Sequence, residues 1–585
     1  MEVTRLFDFP YYQLEQHPQE NCFLYKAENS WKNISTREYI ARANKVSTAL
    51  LTLGIQKDDK IAVITTNNNP NWHILDIGIL QIGAQNVPLY ATLSEKDCAY
   101  ILNHSDAKYC FVSDTDLYEK VKNVQDQTQL KNIYSLEVSE EIYSWEAFLE
   151  IGKDTNLEVQ ITALKAAVEP TDLATIIYTS GTTGTPKGVM LSHKNVVDNI
   201  FKTHEALNLV GNKKRVISYL PISHIFERSA SYYYQYRGFE VYFAESIEKL
   251  GDNISAVKPH FLAVVPRLLE KIFDKIITKG SALKGLKKIL FFWAVALAEK
   301  FEPYQKNGKY YHFKLNIARK LIFSKWQEAL GGHLEFMLSG SAPMQSKLIR
   351  VFMAAGIPIF EGYGLTETSP AITVNDLRNN GLKIGTVGKP LRGLKVKIAQ
   401  DGEILMKGTT VMMGYYKNKE MTDKTIVNEY LHTGDIGEID ADGFLTITDR
   451  KKEMFKTSGG KYIAPAALES VLKQSRFIEQ IMVIGAGEKM PAALIQVNFD
   501  FTKAWAIRKE LNPIAILSSQ RFINRIQKEI DFYNKQFGKW EQIKKFEITQ
   551  DEWTVDAGHL TPTMKMRRKI IKEKYKNLYQ KIYNL

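Results

Sequence analysis

The residues with the clearest capacity for chemistry lie in one short run at 178–190, which reads YTSGTTGTPKGVM. Seven consecutive residues in it, 179–185, are glycine, serine or threonine, and Pro186 and Lys187 follow. Small residues let backbone N–H groups and hydroxyls approach an anion closely, and the lysine supplies a positive charge. This composition indicates a phosphate-binding loop. A flexible surface loop is the alternative that any run rich in Gly, Ser and Thr leaves open.

The run does not have the spacing of a Walker A loop. That pattern requires glycine immediately before the lysine and serine or threonine after it. Here Pro186 precedes Lys187 and Gly188 follows it. Its function must therefore be judged together with the other motifs of the chain.

Six further motifs follow the phosphate run, and the whole set spans nearly 400 residues. They are YLPISHIFER at 219–228, GSAP at 340–343, GYGLTET at 362–368, HTGDIG at 432–437, DRKKEMFKTSGGKYIAP at 449–465 and LTPTMKMRRK at 560–569. In order and spacing they resemble the motifs of the adenylate-forming (AMP-binding) enzyme superfamily. The joint coincidence leaves little room for chance.

The resemblance implies a reaction in two halves. A carboxylate attacks the α-phosphorus of ATP to give an acyl-adenylate and pyrophosphate, and a thiol then displaces AMP. ATP, Mg²⁺ and CoA are the implied small molecules. Thr179 and Glu367 are the implied metal contacts, because hard oxygen ligands suit Mg²⁺. Lys565, Glu367 and Lys187 are the implied catalytic residues, with Lys565 stabilising charge between the carboxylate and the α-phosphate.

The same resemblance assigns the nucleotide contacts. Asp435, a short acceptor-only side chain, would bind the ribose hydroxyls, Arg450 would also reach the ribose, and Tyr363 would lie near the adenine. The full implied set is Thr179, Ser180, Gly181, Thr182, Thr183, Gly184, Lys187, Gly340, Ser341, Ala342, Glu361, Gly362, Tyr363, Gly364, Thr366, Asp435, Arg450 and Lys565.

Two lysines near the C-terminus carry the mechanistic predictions. Lys452 occupies the hinge position of the family, and rotation about it would withdraw Lys565 and complete a thiol tunnel. Lys565 also lies in a basic run, so a solvated cationic face is its alternative interpretation. Met564 stands where many family members have glycine, a form associated with the long-chain acyl branch.

Short apolar runs rich in β-branched residues alternate with stretches of helical period along the chain, which indicates an α/β fold. The runs at 60–65, 174–179 and 261–265 read as strands, and 36–53 has a helical period. Their alternation predicts parallel sheets flanked by helices. We expect a large multi-subdomain α/β body at 1–449 that binds ATP and the acyl substrate. A small mobile α+β lid at 450–585 would carry the catalytic lysine.

The acyl group and the acceptor are predicted by resemblance to long-chain fatty acyl-CoA synthetases. The evidence is an additional segment at 271–330 and the LTPTMK ending. His224 and Phe226 are expected to line the acyl pocket, although an isolated histidine of this kind is more often a core residue. A ligase that loads an acyl carrier protein is the alternative, and no carrier domain is recognised in the chain.

Composition limits the remaining classes. The chain has 585 residues, 44% of them hydrophobic, a net charge of +12 and three cysteines. These values exclude disorder and a disulfide framework, and we expect a cytoplasmic protein without a secretory leader. The positive charge leaves a nucleotide-sensing or nucleic-acid-binding protein as a distant alternative, but no such motif is recognised and no nucleic acid partner is expected. Oligomeric state is left open.

Much of the charge lies in two windows. Residues 281–325 contain ten Lys and Arg against two acidic residues, and residues 561–585 contain eight against one. The first window is apolar and basic at helical spacing, including Phe291, Phe292, Trp293 and Leu297. Two interpretations have equal weight: peripheral contact with an anionic membrane at its inner face, or two helices that pack their apolar face on the main domain.

Overall fold

A computed structural model describes residues 1–137, 143–153, 156–180, 185–207, 214–555, 557–561 and 564–584. Backbone contacts divide the chain into two compact units. The first comprises Met1–Val396, Met406–Leu431 and Ala441–Leu445, and the second comprises Lys397–Leu405, His432–Asp440 and Thr446–Leu585. The division at 449/450 into a catalytic body and a lid stays a prediction.

The elements alternate between strands and helices through most of the chain. Up to the phosphate run they are α1 (Asp8–Gln16), β1 (Phe23–Ala27), β2 (Ser30–Ile34), α2 (Thr36–Thr52), β3 (Lys60–Thr65), α3 (Pro70–Leu80), β4 (Gln85–Tyr90), α4 (Glu95–Ser105), β5 (Ala107–Val112), α5 (Thr115–Gln125), β6 (Asn132–Ser135), α6 (Trp145–Leu149), α7 (Glu158–Ala167) and β7 (Leu173–Ser180).

The next part of the chain continues this alternation. Its elements are β8 (Pro186–Ser192), α8 (His193–Leu207), β9 (Arg215–Ser218), α9 (Ile225–Tyr236), β10 (Glu240–Phe243), α10 (Leu250–Val257), β11 (Phe261–Val264), α11 (Pro266–Ala282), α12 (Gly285–Ala298), α13 (Lys309–Ala318), a π-helical turn (Arg319–Phe323), α14 (Ser324–Ala329), β12 (Phe336–Ser339), α15 (Ser346–Ala354) and β13 (Ile359–Gly364).

A stretch composed mainly of strands follows. The strands are β14 (Ala371–Val374), β15 (Lys389–Pro390), β16 (Lys395–Ile398), β17 (Glu403–Lys407), β18 (Gly414–Tyr415), β19 (Ile426–Val427), β20 (Tyr430–Ile439) and β21 (Leu445–Arg450), with α16 (Lys419–Thr425) between β18 and β19. The remaining elements are β22 (Phe455–Lys456), β23 (Tyr462–Ile463), α17 (Pro465–Leu472), β24 (Ile478–Ile484), β25 (Ala492–Val497), α18 (Phe499–Arg508), α19 (Gln520–Asn534), β26 (Lys545–Ile548), α20 (Arg568–Lys574) and α21 (Lys576–Tyr583).

Two large sheets form the first unit. One has the strand order β18-β8-β7-β4-β3-β5-β6, and the other has the order β15-β14-β13-β12-β11-β9-β10-β1-β2. Neighbouring strands in the centre of each sheet run parallel, for example β3 with β4 and β11 with β12. The prediction of a mixed α/β fold with parallel sheets is confirmed.

Local sequence explains why the central elements form where they do. The four inner residues of β3 are buried and apolar, as expected for a strand covered on both faces. Helix α3 begins at Asn69, whose side chain accepts a hydrogen bond from the Trp72 N–H, and Pro70 occupies its first turn. Nearly all residues of α3 are buried, so this helix lies inside the unit rather than on its surface.

The second unit has a small sheet of its own in the order β24-β25-β26, in which β24 pairs antiparallel and β26 parallel with the central strand. Helices α17 and α19 contribute to its apolar core, with Leu468, Leu472, Phe522 and Ile526 all buried. Strands β20 and β21 pair with each other, and Asp442-Gly443 between them is a residue pair that favours a hairpin turn; Gly443 has a φ of +84°. Over the described chain, no helix combines the length and the apolar character needed to cross a bilayer.

Candidate active site

Strands β7 and β8 hold the two ends of the phosphate run. They pair antiparallel, with Thr179 opposite Lys187. Residues directly opposite in such a pair are neighbours on one face of the sheet, so the predicted metal contact and the predicted phosphate lysine lie together at the base of the loop. Gly181, Thr182, Thr183 and Gly184, and the side chain of Ser180, lie outside the described structure, and their roles stay predictions.

Glu367 is connected to this base through Tyr415. Glu367 lies in a short 3₁₀ turn, Thr366–Thr368, that contacts β8. The Tyr415 hydroxyl donates to Glu367 Oε1 at 2.9 Å, and Lys187 Nζ lies 5.4 Å from the centre of the Tyr415 ring. Burial and the nearby Glu367 carboxylate raise the pKa of Tyr415, so its hydroxyl remains a donor. Lys187, Tyr415 and Glu367 thus form one chain of contacts.

The loop that carries Glu367 is held in place by polar side chains and by a close backbone approach. Asn199 of α8 donates to the carbonyls of Thr368, at 3.2 Å, and Ala371, at 2.7 Å. Thr368 Oγ1 donates to the Pro370 carbonyl at 2.5 Å. A Cβ on Gly364 would lie 1.8 Å from the Pro370 carbonyl oxygen, so only glycine fits at that position. The Glu367 carboxylate is therefore presented from a fixed loop.

The GSAP turn and the predicted acyl-pocket segment are neighbours. Gly340, Ser341 and Ala342 follow β12, and a Cβ on Gly340 would lie 3.6 Å from the Phe226 ring. His224 caps the N-terminus of α9, because its Nδ1 accepts a hydrogen bond from the Phe226 N–H at 3.2 Å. The structure brings Phe226 to the turn and gives His224 a capping role. Contact of either side chain with an acyl group stays a prediction.

The strand before Glu367 is buried. Glu361 of β13 pairs with Ser339 of β12, and Tyr363 of β13 lies opposite Thr373 of β14. Gly362 lies between Glu361 and Tyr363 on β13. Burial raises the pKa of Glu361 to about 8, so this carboxyl is protonated at neutral pH. Thr366 follows in the 3₁₀ turn and is also buried. Tyr363 is the residue of this strand predicted to lie near the adenine, and Glu361, Gly362 and Thr366 belong to the wider predicted nucleotide set; these contacts stay predictions.

The second unit contains the residues predicted to bind the ribose. Asp435 of β20 is 4% exposed, and its Oδ1 lies 3.0 Å from Arg450 Nε. The Asp435 N–H donates to Thr433 Oγ1 at 3.1 Å, which holds the HTGD turn. The two predicted ribose residues are therefore ion-paired with each other. Their contact with a nucleotide stays a prediction.

Glu403 is a site residue that sequence reasoning missed. Its carboxylate accepts hydrogen bonds from the Gly434 N–H at 2.9 Å and from Lys451 Nζ at 2.8 Å, and His432 Nδ1 lies 3.0 Å from it. Burial acts to raise its pKa, but these partners outweigh burial and hold the pKa of Glu403 below its ordinary value. A glutamate in a short strand gives no local signal of this role. Tyr415 was missed for the same reason.

Lys452 lies in an exposed turn of the second unit, and Lys565 is an exposed residue of the same unit. Lys565 is tied to Thr561 by two hydrogen bonds: Thr561 Oγ1 accepts from the Lys565 N–H at 3.0 Å, and the Thr561 N–H donates to the Lys565 carbonyl at 2.7 Å. Met564 has a φ of +62°, a conformation that favours glycine. A glycine at this position, as the resemblance to the family implies, would adopt the same conformation with less strain. The catalytic role of Lys565 and the hinge role of Lys452 stay predictions.

The donor set near the phosphate loop fits Mg²⁺. Within the described ranges, no group of three or more His, Cys, Asp or Glu could hold a metal ion without other ligands. Mg²⁺ is commonly bound by one or two carboxylates together with substrate phosphates and waters. The Glu367 carboxylate and the Thr179 hydroxyl are oxygen donors of the type that Mg²⁺ prefers, and their contact with the ion stays a prediction.

The fold and this site define an adenylate-forming protein, and comparisons with known proteins agree. The chain matches the family model described as AMP-binding enzyme over residues 11–416, and the AMP-binding enzyme C-terminal domain over 453–585. It therefore belongs to the AMP-binding enzyme family, as its motifs predicted.

Individual relatives cover almost the whole chain. A protein named long-chain-fatty-acid–CoA ligase FadD15, from Mycobacterium bovis, is 33% identical over 95% of this chain and 93% of its own length. The human long-chain-fatty-acid–CoA ligase ACSBG2 is 29% identical over 96% of this chain and 89% of its own. The crystal structure of the anthranilate CoA ligase AuaEII with anthranoyl-AMP is 19% identical, with a TM-score of 0.70 over 97% of each chain. This last similarity confirms the predicted fold.

Proposed function

We propose that this protein is a long-chain fatty acid–CoA ligase. It forms an acyl-adenylate and pyrophosphate from a fatty acid and ATP, and it then transfers the acyl group to the CoA thiol with release of AMP. The Lys187–Tyr415–Glu367 arrangement at the base of the phosphate run is the observation that carries the adenylation step. The names of relatives aligned over nearly the whole chain support the acyl class and the acceptor.

Residues of the first unit act on the phosphates. Lys187 neutralises charge on the β- and γ-phosphates, which depart as pyrophosphate, together with the loop residues 181–184. Glu367 and Thr179 hold Mg²⁺, which supplies charge neutralisation to the phosphate oxygens when it is bound. Tyr415 keeps the Glu367 carboxylate in one orientation through its hydrogen bond. Phe226, which lies beside the GSAP turn, and His224 line the acyl pocket.

Residues of the second unit act on the ribose and on the reacting carboxylate. Asp435 accepts hydrogen bonds from the ribose hydroxyls, and Arg450 completes that contact. Lys565 stabilises the charge that develops as the carboxylate oxygen bonds to the α-phosphorus and the bond to pyrophosphate breaks. Rotation of the lid at 450–585 about Lys452 then exchanges Lys565 for a surface that admits the CoA thiol.

Pyrophosphate release that depends on a fatty acid tests the first half of the reaction. We expect release with ATP, Mg²⁺ and a sixteen-carbon acid, and much weaker release with acetate or benzoate. Absence of release with every carboxylic acid would contradict the proposal and favour a nucleotide-sensing protein. Release with a short or aromatic acid alone would correct the acyl class.

The acceptor is tested separately, because an acyl-carrier ligase shares the first half-reaction. Consumption of CoA and formation of acyl-CoA are measured beside the same assay with a phosphopantetheinylated carrier protein. We expect CoA to be the faster acceptor. Faster transfer to the carrier protein would reassign the second half-reaction while leaving adenylation intact.

We also propose a cytoplasmic location with peripheral contact at the inner face of an anionic membrane. Long-chain fatty acids partition into bilayers, so a ligase that touches the lipid surface meets its substrate at high local concentration. Fractionation of cells into soluble and membrane pools, with a salt wash of the membrane pool, tests this location. We expect the membrane-associated fraction to be released by salt.

A further inference from the structure

Helix α13 carries two apolar stripes on different sides. On one side Leu315 and Ala318 are fully buried, and Phe323 in the following π-helical turn continues this buried stripe. On the other side Tyr310, Phe313 and Ile317 are 72%, 63% and 38% exposed, and Leu321, one turn further, is 48% exposed. The spacing of the exposed stripe is i, i+3, i+7 and i+11, which is that of one helix face.

Helix α12 repeats the arrangement. Phe291, Ala294, Val295 and Ala298 are buried, whereas Leu286 and Ile289 are 69% and 66% exposed and Phe292 is 37% exposed. The two helices are linked, because the Tyr311 hydroxyl donates to the Leu297 carbonyl at 2.8 Å. We call the seven exposed side chains the apolar face: Leu286, Ile289, Phe292, Tyr310, Phe313, Ile317 and Leu321.

The opposite sides of α12 and α13 are densely packed, so the apolar face is not exposed because of poor packing of the helices. Phe291 sits so close to α11 that a Cβ on Gly280 would lie 2.0 Å from its ring. Its ring also lies 6.3 Å from that of Trp326 in α14, measured between centroids. The helices are therefore anchored on one side by dense packing. Phe291, for which the sequence left lipid contact and packing equally open, belongs to this packed side.

Lysines border the apolar face. On α13 and the π-helical turn, Lys309 and Lys320 are exposed, and with Lys314 they lie at helical spacing on the two sides of the stripe from Tyr310 to Leu321. Lys314 Nζ lies 4.2 Å from the centre of the Tyr310 ring. The two acidic residues of this window are paired with basic residues of α15, at 2.9 Å for Glu299–Lys347 and 2.7 Å for Glu302–Arg350. The exposed charge beside the apolar face is therefore positive.

We infer that the apolar face of α12 and α13 docks on the surface of an anionic lipid bilayer. Apolar side chains enter the region between headgroups and acyl chains, while the bordering lysines contact the lipid phosphates. Charge complementarity selects this occupant. A second copy of the chain packed symmetrically would place like-charged lysines against each other, which is unfavourable. The inference depends on the proposed function in one respect only: if the protein is a fatty acid ligase, docking would bring it to fatty acid in the bilayer.

Vesicle sedimentation tests the inference with the full-length protein. We expect binding to vesicles that contain phosphatidylglycerol and far weaker binding to vesicles of phosphatidylcholine alone. The triple variant Lys309→Gln, Lys314→Gln, Lys320→Gln should bind the anionic vesicles on the order of 100-fold more weakly, since each lysine near such a surface contributes about fivefold. Added salt should weaken binding of the parent protein.

A second variant tests the apolar residues. The substitutions Tyr310→Ser, Phe313→Ser and Ile317→Ser should weaken binding about tenfold or more, because each removes apolar area that would leave water. The matched control replaces three apolar residues that are exposed in the second unit, Ile507, Ile514 and Phe532, at 65%, 94% and 62%. The control should bind as the parent protein does. All variants should keep the parent melting temperature, since none of the replaced side chains is buried.

The outcomes separate the inference from the proposed function. The inference would be overturned if the lysine variant and the serine variant both bound vesicles as tightly as the parent protein. It would also be overturned if the control variant lost as much vesicle binding as the serine variant. So would a parent dimer that the serine variant dissociates, with no vesicle binding by either. Pyrophosphate release is measured in parallel with detergent-solubilised fatty acid and no vesicles. Its absence would contradict the ligase proposal while patch-dependent vesicle binding would still stand.

Discussion

Tyr415 donates a hydrogen bond of 2.9 Å to the carboxylate of Glu367, which precedes it by 48 residues in the chain. The hydrogen bond joins β18 to the 3₁₀ turn after β13, and the Tyr415 ring also contacts Lys187. Through one buried phenol, the lysine expected to bind phosphate and the carboxylate expected to bind Mg²⁺ are held in a fixed arrangement.

Replacing Tyr415 with phenylalanine should raise the Mg²⁺ requirement of adenylation. The ring and its packing remain, but the Glu367 carboxylate loses a hydrogen bond, and one to a charged group is worth about 1.5–3 kcal/mol. We expect the Mg²⁺ concentration that gives half-maximal pyrophosphate release to rise about tenfold or more. Tyr416→Phe is the matched control, because that hydroxyl donates to Asp106 instead. An unchanged Mg²⁺ titration for Tyr415→Phe would refute the positioning role.

Replacing Lys565 with alanine should separate the two half-reactions. Loss of charge stabilisation in the adenylation transition state costs about 2.7–4 kcal/mol, which is a rate loss of about 100-fold to 1,000-fold. Thioesterification from supplied acyl-adenylate should be largely spared. Lys569→Ala, in the same basic run, is the control and should leave both rates near those of the parent. Equal loss of both half-reactions in Lys565→Ala would show that this lysine is not specific to adenylation.

Replacing Asp435 with asparagine should weaken recognition of the ribose. A carboxylate can accept hydrogen bonds from two hydroxyls, whereas the amide has one acceptor atom and leaves Arg450 without its ion pair at 3.0 Å. We expect the parent enzyme to prefer ATP over 2′-deoxy-ATP and the variant to lose most of this preference. The ratio of kcat/KM for the two nucleotides is the measurement. The exposed turn variant Asp442→Asn should retain the parent ratio.

The buried ion pair between Arg228 and Asp76 should be a major contributor to stability. Their side chains are 1% and 2% exposed, and Arg228 Nη2 lies 2.6 Å from Asp76 Oδ1. Asp76→Asn leaves an uncompensated buried cation, so we expect a loss of about 3–5 kcal/mol in the free energy of unfolding by urea. Adding Arg228→Met to that variant should recover part of the loss. A double variant less stable than Asp76→Asn would contradict the account.

The buried carboxyl of Glu227 should make stability fall as pH rises. Burial raises its pKa to about 8 from an ordinary value of 4.5, although Ser218 Oγ donates to it at 2.6 Å. Between these two values the folded protein keeps a proton that the unfolded chain releases, so stability decreases with pH. Glu227→Gln should make the slope of unfolding free energy against pH less negative by up to about 1.4 kcal/mol per pH unit between pH 5 and 8. An unchanged slope would exclude this carboxyl as the cause.

Local patterns were sufficient for many elements of the fold. The run at 60–65 is strand β3 at the same residues, because its apolar and β-branched side chains suit a buried parallel strand. The run at 36–53 is helix α2 to within one residue, since Ser35 caps its first turn. In the site, the order of the motifs predicted the family. The register of β7 and β8 explains why Thr179 and Lys187 belong together.

The amphipathic segment at 281–325 shows where local pattern is insufficient. Lipid contact and packing were equally consistent with its sequence, because a helix can have apolar residues on two sides. The structure buries Phe291 and Leu315 and exposes Phe313 and Ile317. Which apolar residues face the interior depends on how the helix is rotated about its axis relative to the elements it packs against. The sequence of the segment does not specify that rotation.

By itself the sequence determined the family, the α/β class and the identity of the expected site residues. These follow from short motifs and from local patterns of apolar residues, in which the chemistry of each position limits the residue types that fit. Tertiary structure alone decided that Tyr415 orients Glu367, that Glu403 holds the HTGD turn and that Arg450 pairs with Asp435. The first two contacts join strands or turns that are distant in sequence. Such contacts depend on sheet order and register, which are set by the packing of the whole unit rather than by any local pattern.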